Sequence, residues 1–162
     1  MRTFRTLALI CLLGLSGCSY GFDVQAVIID GRLAFVPGPR GAKPECVSRV
    51  MVRDEGAPVA ATYDAWMRTA FAWADQGGYG CTDRFPLFYG EALKGEDSAG
   101  TGISSEVAAK PLRAGVIYEV MIASGATGYG GGRFRLRPDG GVENLGPPML
   151  TSEDTLLVTP SR

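Results

Sequence analysis

The sequence of 162 residues contains no histidine. Ser-His-Asp and Cys-His catalysis, zinc binding through imidazole and histidine-based pH switches all require that side chain. The carboxylates are scattered along the chain, and no stretch has the Asp/Asn spacing of a calcium-binding loop. We therefore predict no catalytic residue, no metal site and no cofactor.

An excess of charge of either sign is also absent. Lysine and arginine total 16, and aspartate and glutamate total 17. Proteins that bind nucleic acid usually carry a basic surface, so this balance predicts no nucleic-acid partner. The apolar run at the start, residues 7–15, is much shorter than the roughly 20 residues of a membrane-spanning helix.

The first 18 residues carry a processing signal. Two arginines precede the apolar run and small residues follow it, which is typical of a secretory signal peptide. The run ends in Leu15, Ser16, Gly17 and Cys18, which resemble the lipobox of bacterial lipoproteins. The resemblance implies that residues 1–17 are a cleaved signal peptide, that the Cys18 thiol is lipidated and that the new amine is acylated.

The same resemblance predicts a location. Residues 18–22 are expected to be a lipidated N-terminus and a short tether, and the acyl chains on Cys18 are expected to attach the protein to a membrane. Ser19 differs from the aspartate that is associated with inner-membrane retention of Gram-negative lipoproteins. The implied location is the cell envelope, anchored in the outer membrane and facing the periplasm.

The four cysteines fall into two groups. Cys11 lies in the signal peptide and Cys18 is the lipidation site. Cys46 and Cys81 remain as an even pair in an oxidising compartment, which predicts a disulfide. By closing a loop of about 36 residues, it would stabilise the fold by roughly 3–4 kcal/mol. A redox role is the alternative, although redox pairs usually have Cys-x-x-Cys spacing.

Residues 23–162 are predicted to form a single β domain. Short apolar runs alternate with glycine- and proline-rich turns, and Asp30-Gly31 and residues 138–141 have the sequences of hairpin turns. Strands are expected at residues 23–29, 32–36, 46–53, 84–89, 116–123, 133–137, 142–145 and 155–159. Loops are expected at 37–44 and 90–105. This pattern predicts an all-β fold, an antiparallel β-sandwich of immunoglobulin-like or similar type, with a half-open β-barrel as the alternative.

Residues 59–74 fit two kinds of secondary structure. Tyr63, Trp66 and Met67 lie on one stripe of a helix, whereas Tyr63, Met67 and Trp73 share one face of a strand. Because the neighbouring segments are β-like, we favour a strand. The alternative is an α+β fold with a helix at about 59–74.

A glycine-rich segment, residues 125–132, is a candidate binding element. It lacks the Gly-Lys-Ser/Thr ending of a P-loop and the glycine spacing of a dinucleotide-binding turn. We interpret it as a flexible connection or a bulged corner of the sheet where backbones approach closely. An exposed binding loop is the alternative.

Four side chains form the candidate binding surface: Tyr89, Tyr129, Arg133 and Arg135. Each tyrosine precedes a glycine, as Tyr79 also does, so its ring could stack on a sugar or a partner's side chain, or simply pack over bare backbone. The two arginines share a strand face with a third. Such a row could bind an anionic polymer or a lipid head group, but it is more often a solvated face that resists edge pairing.

These features predict a non-enzymatic, lipid-anchored binding module whose partner is an envelope protein or a cell-wall glycan. An envelope hydrolase is one alternative, and it would hold two carboxylates in a cleft, one of them with a raised pKa. A small inhibitor or accessory subunit of an envelope complex is another. It would insert a projecting loop, residues 90–105 or 124–132, into its partner.

Overall fold

The computed structural model describes residues 19–57, 70–75, 81–91, 93 and 108–146. Within these ranges all regular secondary structure is β-strand, which confirms the all-β class. The strands are β1 (Tyr20–Ile29), β2 (Arg32–Gly41), β3 (Arg49–Asp54), β4 (Ala70–Asp75), β5 (Leu87–Phe88), β6 (Ile117–Ser124), β7 (Gly128–Leu136) and β8 (Val142–Gly146). The predicted signal peptide with Cys18, the ring of Tyr79, most of the loop predicted at 90–105 and the strand predicted at 155–159 lie outside the described residues.

The strands form one sheet in the order β4-β3-β6-β7-β1-β2-β5, and β8 pairs with the second half of β7. All neighbouring pairs are antiparallel except β1 and β7, which run parallel over residues 20–23 and 128–131. The sheet curls into a half-barrel, which was the alternative to the sandwich. The immunoglobulin-like sandwich is not confirmed, because the described strands form a single sheet rather than two sheets packed face to face.

The inner face of the half-barrel holds the hydrophobic core. Residues that stand opposite each other in neighbouring strands share a face, and alternate residues along a strand point to the same side. One buried cluster takes side chains from both β3 and β5, near the two ends of the strand order, and this requires a curled sheet. Its buried members are Phe22, Val24, Ala26, Phe35, Val47, Val52, Leu87, Tyr118, Val120, Ile122 and Phe134.

Both predicted hairpins are confirmed. Asp30 and Gly31 connect β1 to β2, and their φ angles of 50° and 74° are positive, as a type I′ turn requires. Between β7 and β8, the Arg137 N–H donates to the Gly141 carbonyl at 2.8 Å. The short β5 begins directly after Pro86 and lies at an end of the strand order, where a proline is tolerated.

Strand β2 is longer than predicted. The predicted loop at 37–44 is wrong as far as Gly41, because β2 continues to that residue opposite Phe22 and Val24. The Leu33 carbonyl accepts a hydrogen bond from Tyr89 on the β5 side. Pro37 is an even number of residues from Leu33, so the backbone groups of both residues point away from β1. The missing N–H group of Pro37 therefore costs no hydrogen bond between β2 and β1.

The segment predicted at 59–74 is a strand where the structure describes it. Strand β4 spans Ala70–Asp75 and pairs antiparallel with β3. A helix reaching residue 74 is therefore contradicted, and the strand interpretation is confirmed from residue 70 onward. Residues 58–69 lie outside the described part of the chain.

Candidate functional site

The start of β1 is joined directly to the turn between β6 and β7. The Tyr20 N–H donates to the Thr127 carbonyl at 3.1 Å, and the Tyr20 hydroxyl donates to Ser124 Oγ at 2.9 Å. Strand β1 thus begins three residues earlier than predicted, so residues 20–22 belong to the sheet and not to a tether. We call this region, made of Tyr20, the turn at residues 125–127 and Tyr129, the N-terminal end of the sheet.

The glycine-rich segment is mostly strand. Residues 128–132 belong to β7, between β6 on one side and the start of β1 on the other. A Cβ atom added at Gly130 would overlap the ring of Phe22, and one at Gly132 would overlap the Val24 carbonyl oxygen. Glycine is needed because β1 crosses β7 so closely. The predictions of a flexible connection and of a projecting loop are therefore wrong for residues 128–132, whereas the predicted close approach of backbones is present there.

The predicted disulfide is confirmed. Cys46 and Cys81 are bonded, with their Cα atoms 5.3 Å apart. Beside it the Val47 N–H donates to the Asp83 carbonyl at 2.7 Å, and the Gly125 N–H lies 3.1 Å from the sulfur of Cys81. The disulfide thus holds the segment that precedes β5 against the start of β3 and the N-terminal end of the sheet.

Three of the four candidate binding residues share one surface. Tyr129, Arg133 and Arg135 alternate along β7 on the outer face, opposite the side that contacts the rings of Tyr20 and Phe22. The ring of Tyr129 is 50% exposed. Arg135 Nη2 donates to Glu143 Oε2 at 2.6 Å, and both side chains remain partly exposed.

Tyr89 lies elsewhere. It follows β5 and packs against the core cluster on the inner side of the sheet, so it does not share a face with Tyr129. Its hydroxyl donates to the Lys110 carbonyl at 2.7 Å. Burial of the hydroxyl, reinforced by the neighbouring Tyr118, raises the pKa of Tyr89 to about 12.

A row of paired charges crosses the outer face, and the sequence patterns did not reveal it. Arg53 on β3 stands opposite Glu119 on β6, which in turn stands opposite Arg133 on β7. Arg53 contacts the Glu119 carboxylate at 2.5 Å. Glu119 is only 2% exposed, so its charge depends on these arginines in place of water. Only the register between strands, which no local pattern encodes, could have identified this row.

Arg133 also forms an ion pair with a second carboxylate, that of Glu55. Its Nη2 donates to Glu55 Oε2 at 2.9 Å, and its Nε lies 2.6 Å from Glu55 Oε1 without the alignment of a hydrogen bond. This hydrogen bond, with the added charge of Glu119, raises the pKa of Arg133. The side chain is only 17% exposed, so the prediction of a solvated arginine face is wrong at Arg133. The prediction of a solvated arginine does describe Arg137, which follows β7 and is exposed.

The described carboxylates that lie on this face and take part in ion pairs include Asp23, Glu55, Glu119 and Glu143, and each of these four is paired with an arginine. Among the described residues, no group of three or more cysteine, aspartate or glutamate side chains could hold a metal ion. The described part of the chain also includes no helix long and apolar enough to cross a bilayer.

Comparison of the chain with protein-family models, curated proteins and solved structures found no match. Function must therefore be inferred from the residues of this chain.

Proposed function

We propose that this protein is a lipoprotein of the cell envelope, anchored in the outer membrane and facing the periplasm, whose β domain is a non-enzymatic binding module. The observation that carries the proposal is the lipobox ending in Cys18 and followed almost at once by strand β1 at Tyr20. A single residue, Ser19, separates the cysteine from the sheet. The bond between Cys46 and Cys81 suits an oxidising compartment.

The proposed binding surface is the outer face of β7. Tyr129 offers an exposed ring, and Arg135 offers a partly exposed guanidinium on the same rigid strand. A ring that can stack and a guanidinium that can form paired hydrogen bonds suit either an envelope protein or a cell-wall glycan. Arg133 lies between these two residues on the same face of β7. It is not offered as a binding group, because its charge is already paired with Glu55.

Lipidation is tested on protein purified from membranes. Mass spectrometry of the mature N-terminal peptide is expected to find diacylglycerol on the Cys18 thiol and an acyl chain on its amine. Cys18→Ala is expected to abolish processing, whereas Cys11→Ala, which changes the other cysteine of the signal peptide, is expected to leave it intact. An unmodified Cys18 in membrane-bound protein would contradict the proposal.

Binding is tested by crosslinking the lipidated protein in cells, followed by mass spectrometry of the proteins and glycan fragments that co-purify. A reproducible partner is expected, and Arg135→Ala is expected to weaken its capture. Arg137→Ala is the matched control, because Arg137 is exposed at the end of the same strand and pairs only loosely, at 3.4 Å, with Asp139. If both variants capture the partner as the wild type does, this surface is not the binding site.

A further inference from the structure

The turn that connects β6 to β7 differs in charge from the turns at the opposite end of the sheet. Charged residues do lie beside it at its own end, where Arg40 on β2 pairs with Asp23 and Lys43 follows β2, so the uncharged part of this end is the turn itself. Residues 124–130, which connect β6 to β7 at the N-terminal end, are Ser, Gly, Ala, Thr, Gly, Tyr and Gly and carry no charged side chain. At the opposite end, Asp30 and Asp139 lie in turns and Asp54 ends strand β3. An uncharged turn can approach a lipid surface without the cost of removing water from an ion.

The distance from the anchor to this uncharged turn is fixed by covalent geometry. With only Ser19 between them, the Cα atoms of Cys18 and Tyr20 are at most about 7 Å apart. A bilayer is about 30 Å thick in its hydrocarbon core and about 40–45 Å thick with its head groups, which leaves roughly 5–8 Å of head-group layer on each side. If Cys18 carries inserted acyl chains, Tyr20 lies in this layer or at its edge, and so does its hydrogen-bonded neighbour Thr127.

Tyr129 is placed to enter the same layer. It stands opposite Gly21 in the parallel pairing of β7 with β1, one residue from Tyr20. Half of its surface is exposed, and its hydroxyl makes only a long contact, 3.5 Å, with the Ala126 carbonyl. Tyrosine is enriched at membrane–water interfaces because its ring is apolar and its hydroxyl can bond to head groups.

We infer that residues 125–127 and Tyr129 form a membrane-contact surface, which lies in the head-group layer of the bilayer that holds the Cys18 acyl chains. This inference rests on the proposed lipidation. It sets which end of the domain faces the membrane: β1 has ten residues, so its turn at Asp30-Gly31 lies about 33 Å along the strand from the end that contacts the membrane. Of the proposed binding surface, Arg135, about 20 Å along β7 from Tyr129, then remains for a periplasmic partner, and the ring of Tyr129 contacts lipid instead of that partner.

The test is photo-crosslinking of the full-length, lipidated protein in vesicles of phosphatidylethanolamine and phosphatidylglycerol. A benzophenone amino acid is placed at Ala126 or at Ala114, two exposed alanines at opposite ends of β6. Lipid adducts are expected at Ala126 and none above background at Ala114. Thr127, which is also exposed, is the second labelling position if the change at Ala126 disturbs the fold.

The outcomes separate this inference from the proposal beneath it. The mass of the N-terminal peptide is measured in the same preparation, and an unmodified Cys18 overturns the lipidation itself. If Cys18 is lipidated but lipid adducts are absent at both Ala126 and Thr127, or equal at Ala114, the orientation is wrong. Labelling in cells provides a further check, because a protein adduct at Ala126 in place of lipid would mean that another protein covers this surface.

Tyr129→Ala tests the contribution of the ring. The adduct yield at Ala126 is expected to fall, because the interfacial ring that holds this end in the head-group layer has been removed. An unchanged yield would remove Tyr129 from the contact surface.

Discussion

The inner and outer faces of the sheet are stabilised by different interactions, and β7 contributes to both. On the inner face, the Phe134 ring is fully buried, with its centroid 5.5 Å from that of Phe35 and 5.8 Å from that of Tyr118. On the outer face, one residue earlier, Arg133 joins the row of paired charges around the buried Glu119. The inner face therefore depends on matched volume, whereas the outer face depends on matched charge.

The largest expected effect breaks the packing of the inner face. Phe134→Ala is expected to lower the free energy of unfolding by about 3–5 kcal/mol, because it removes a buried ring and leaves a cavity between β2 and β6. Urea unfolding followed by circular dichroism measures this loss. Phe134→Leu keeps most of the volume and is expected to cost much less. Equal losses for both variants would mean that volume is not the controlling quantity.

The next expected effect breaks the charge matching of the outer face. Glu119→Gln keeps the size of the side chain but leaves Arg53 beside a neutral group, so we expect a loss of about 3 kcal/mol. Glu143→Gln is the matched control, because its pair with Arg135 is partly exposed and is worth at most about 1 kcal/mol. If the two substitutions lower the free energy of unfolding in urea equally, burial of the pair between Arg53 and Glu119 has no energetic consequence.

Local sequence patterns predicted the hairpins but not the interactions that stabilise each face of the sheet. Asp30-Gly31 defines a turn by itself, because both residues tolerate the positive φ angles found there. Glu119 could not be interpreted in the same way. It reads as an ordinary polar position in strand β6 until the register sets Arg53 and Arg133 on either side of it. Charge pairing between strands is a property of the register, which depends on the whole sheet.

The glycine-rich segment shows the same limit. Its residues were interpreted as a flexible connection or a bulged corner where backbones approach closely, without any indication of which segment makes that approach. The reason for glycine at position 130 is the ring of Phe22, which belongs to a strand more than 100 residues earlier in the chain. A parallel pairing between such distant segments leaves no local mark in the sequence.

Glycine substitutions compare the two faces at smaller cost. Gly130→Ala is expected to destabilise the protein by about 1–3 kcal/mol, because the added methyl group overlaps the Phe22 ring on the inner face. Gly21→Ala is the control on the outer face, where an added Cβ would meet only the Tyr129 carbonyl oxygen at 4.0 Å. It is expected to be neutral or slightly stabilising. Thermal unfolding of the pair measures the difference, and similar midpoints would contradict the close approach of β1 to β7.

The smallest effect concerns the hydroxyl of Tyr89 on the inner face. Its pKa is about 12 in the folded protein, compared with about 10 in an unfolded chain. The unfolded chain therefore loses the Tyr89 proton at a lower pH than the folded protein does. The stability that Tyr89 contributes is present below pH 10 and is lost as the pH rises from about 10 to about 12.

Tyr89→Phe isolates this contribution, because other groups that titrate in this range act equally on both proteins. Near neutral pH the variant is expected to be about 1 kcal/mol less stable, since it lacks the hydrogen bond to Lys110. Urea unfolding of both proteins between pH 8 and 12 should show this gap narrowing as the wild type loses stability. A gap that stays constant would mean that the hydroxyl is not buried against the core, and the inner face would then end before Tyr89.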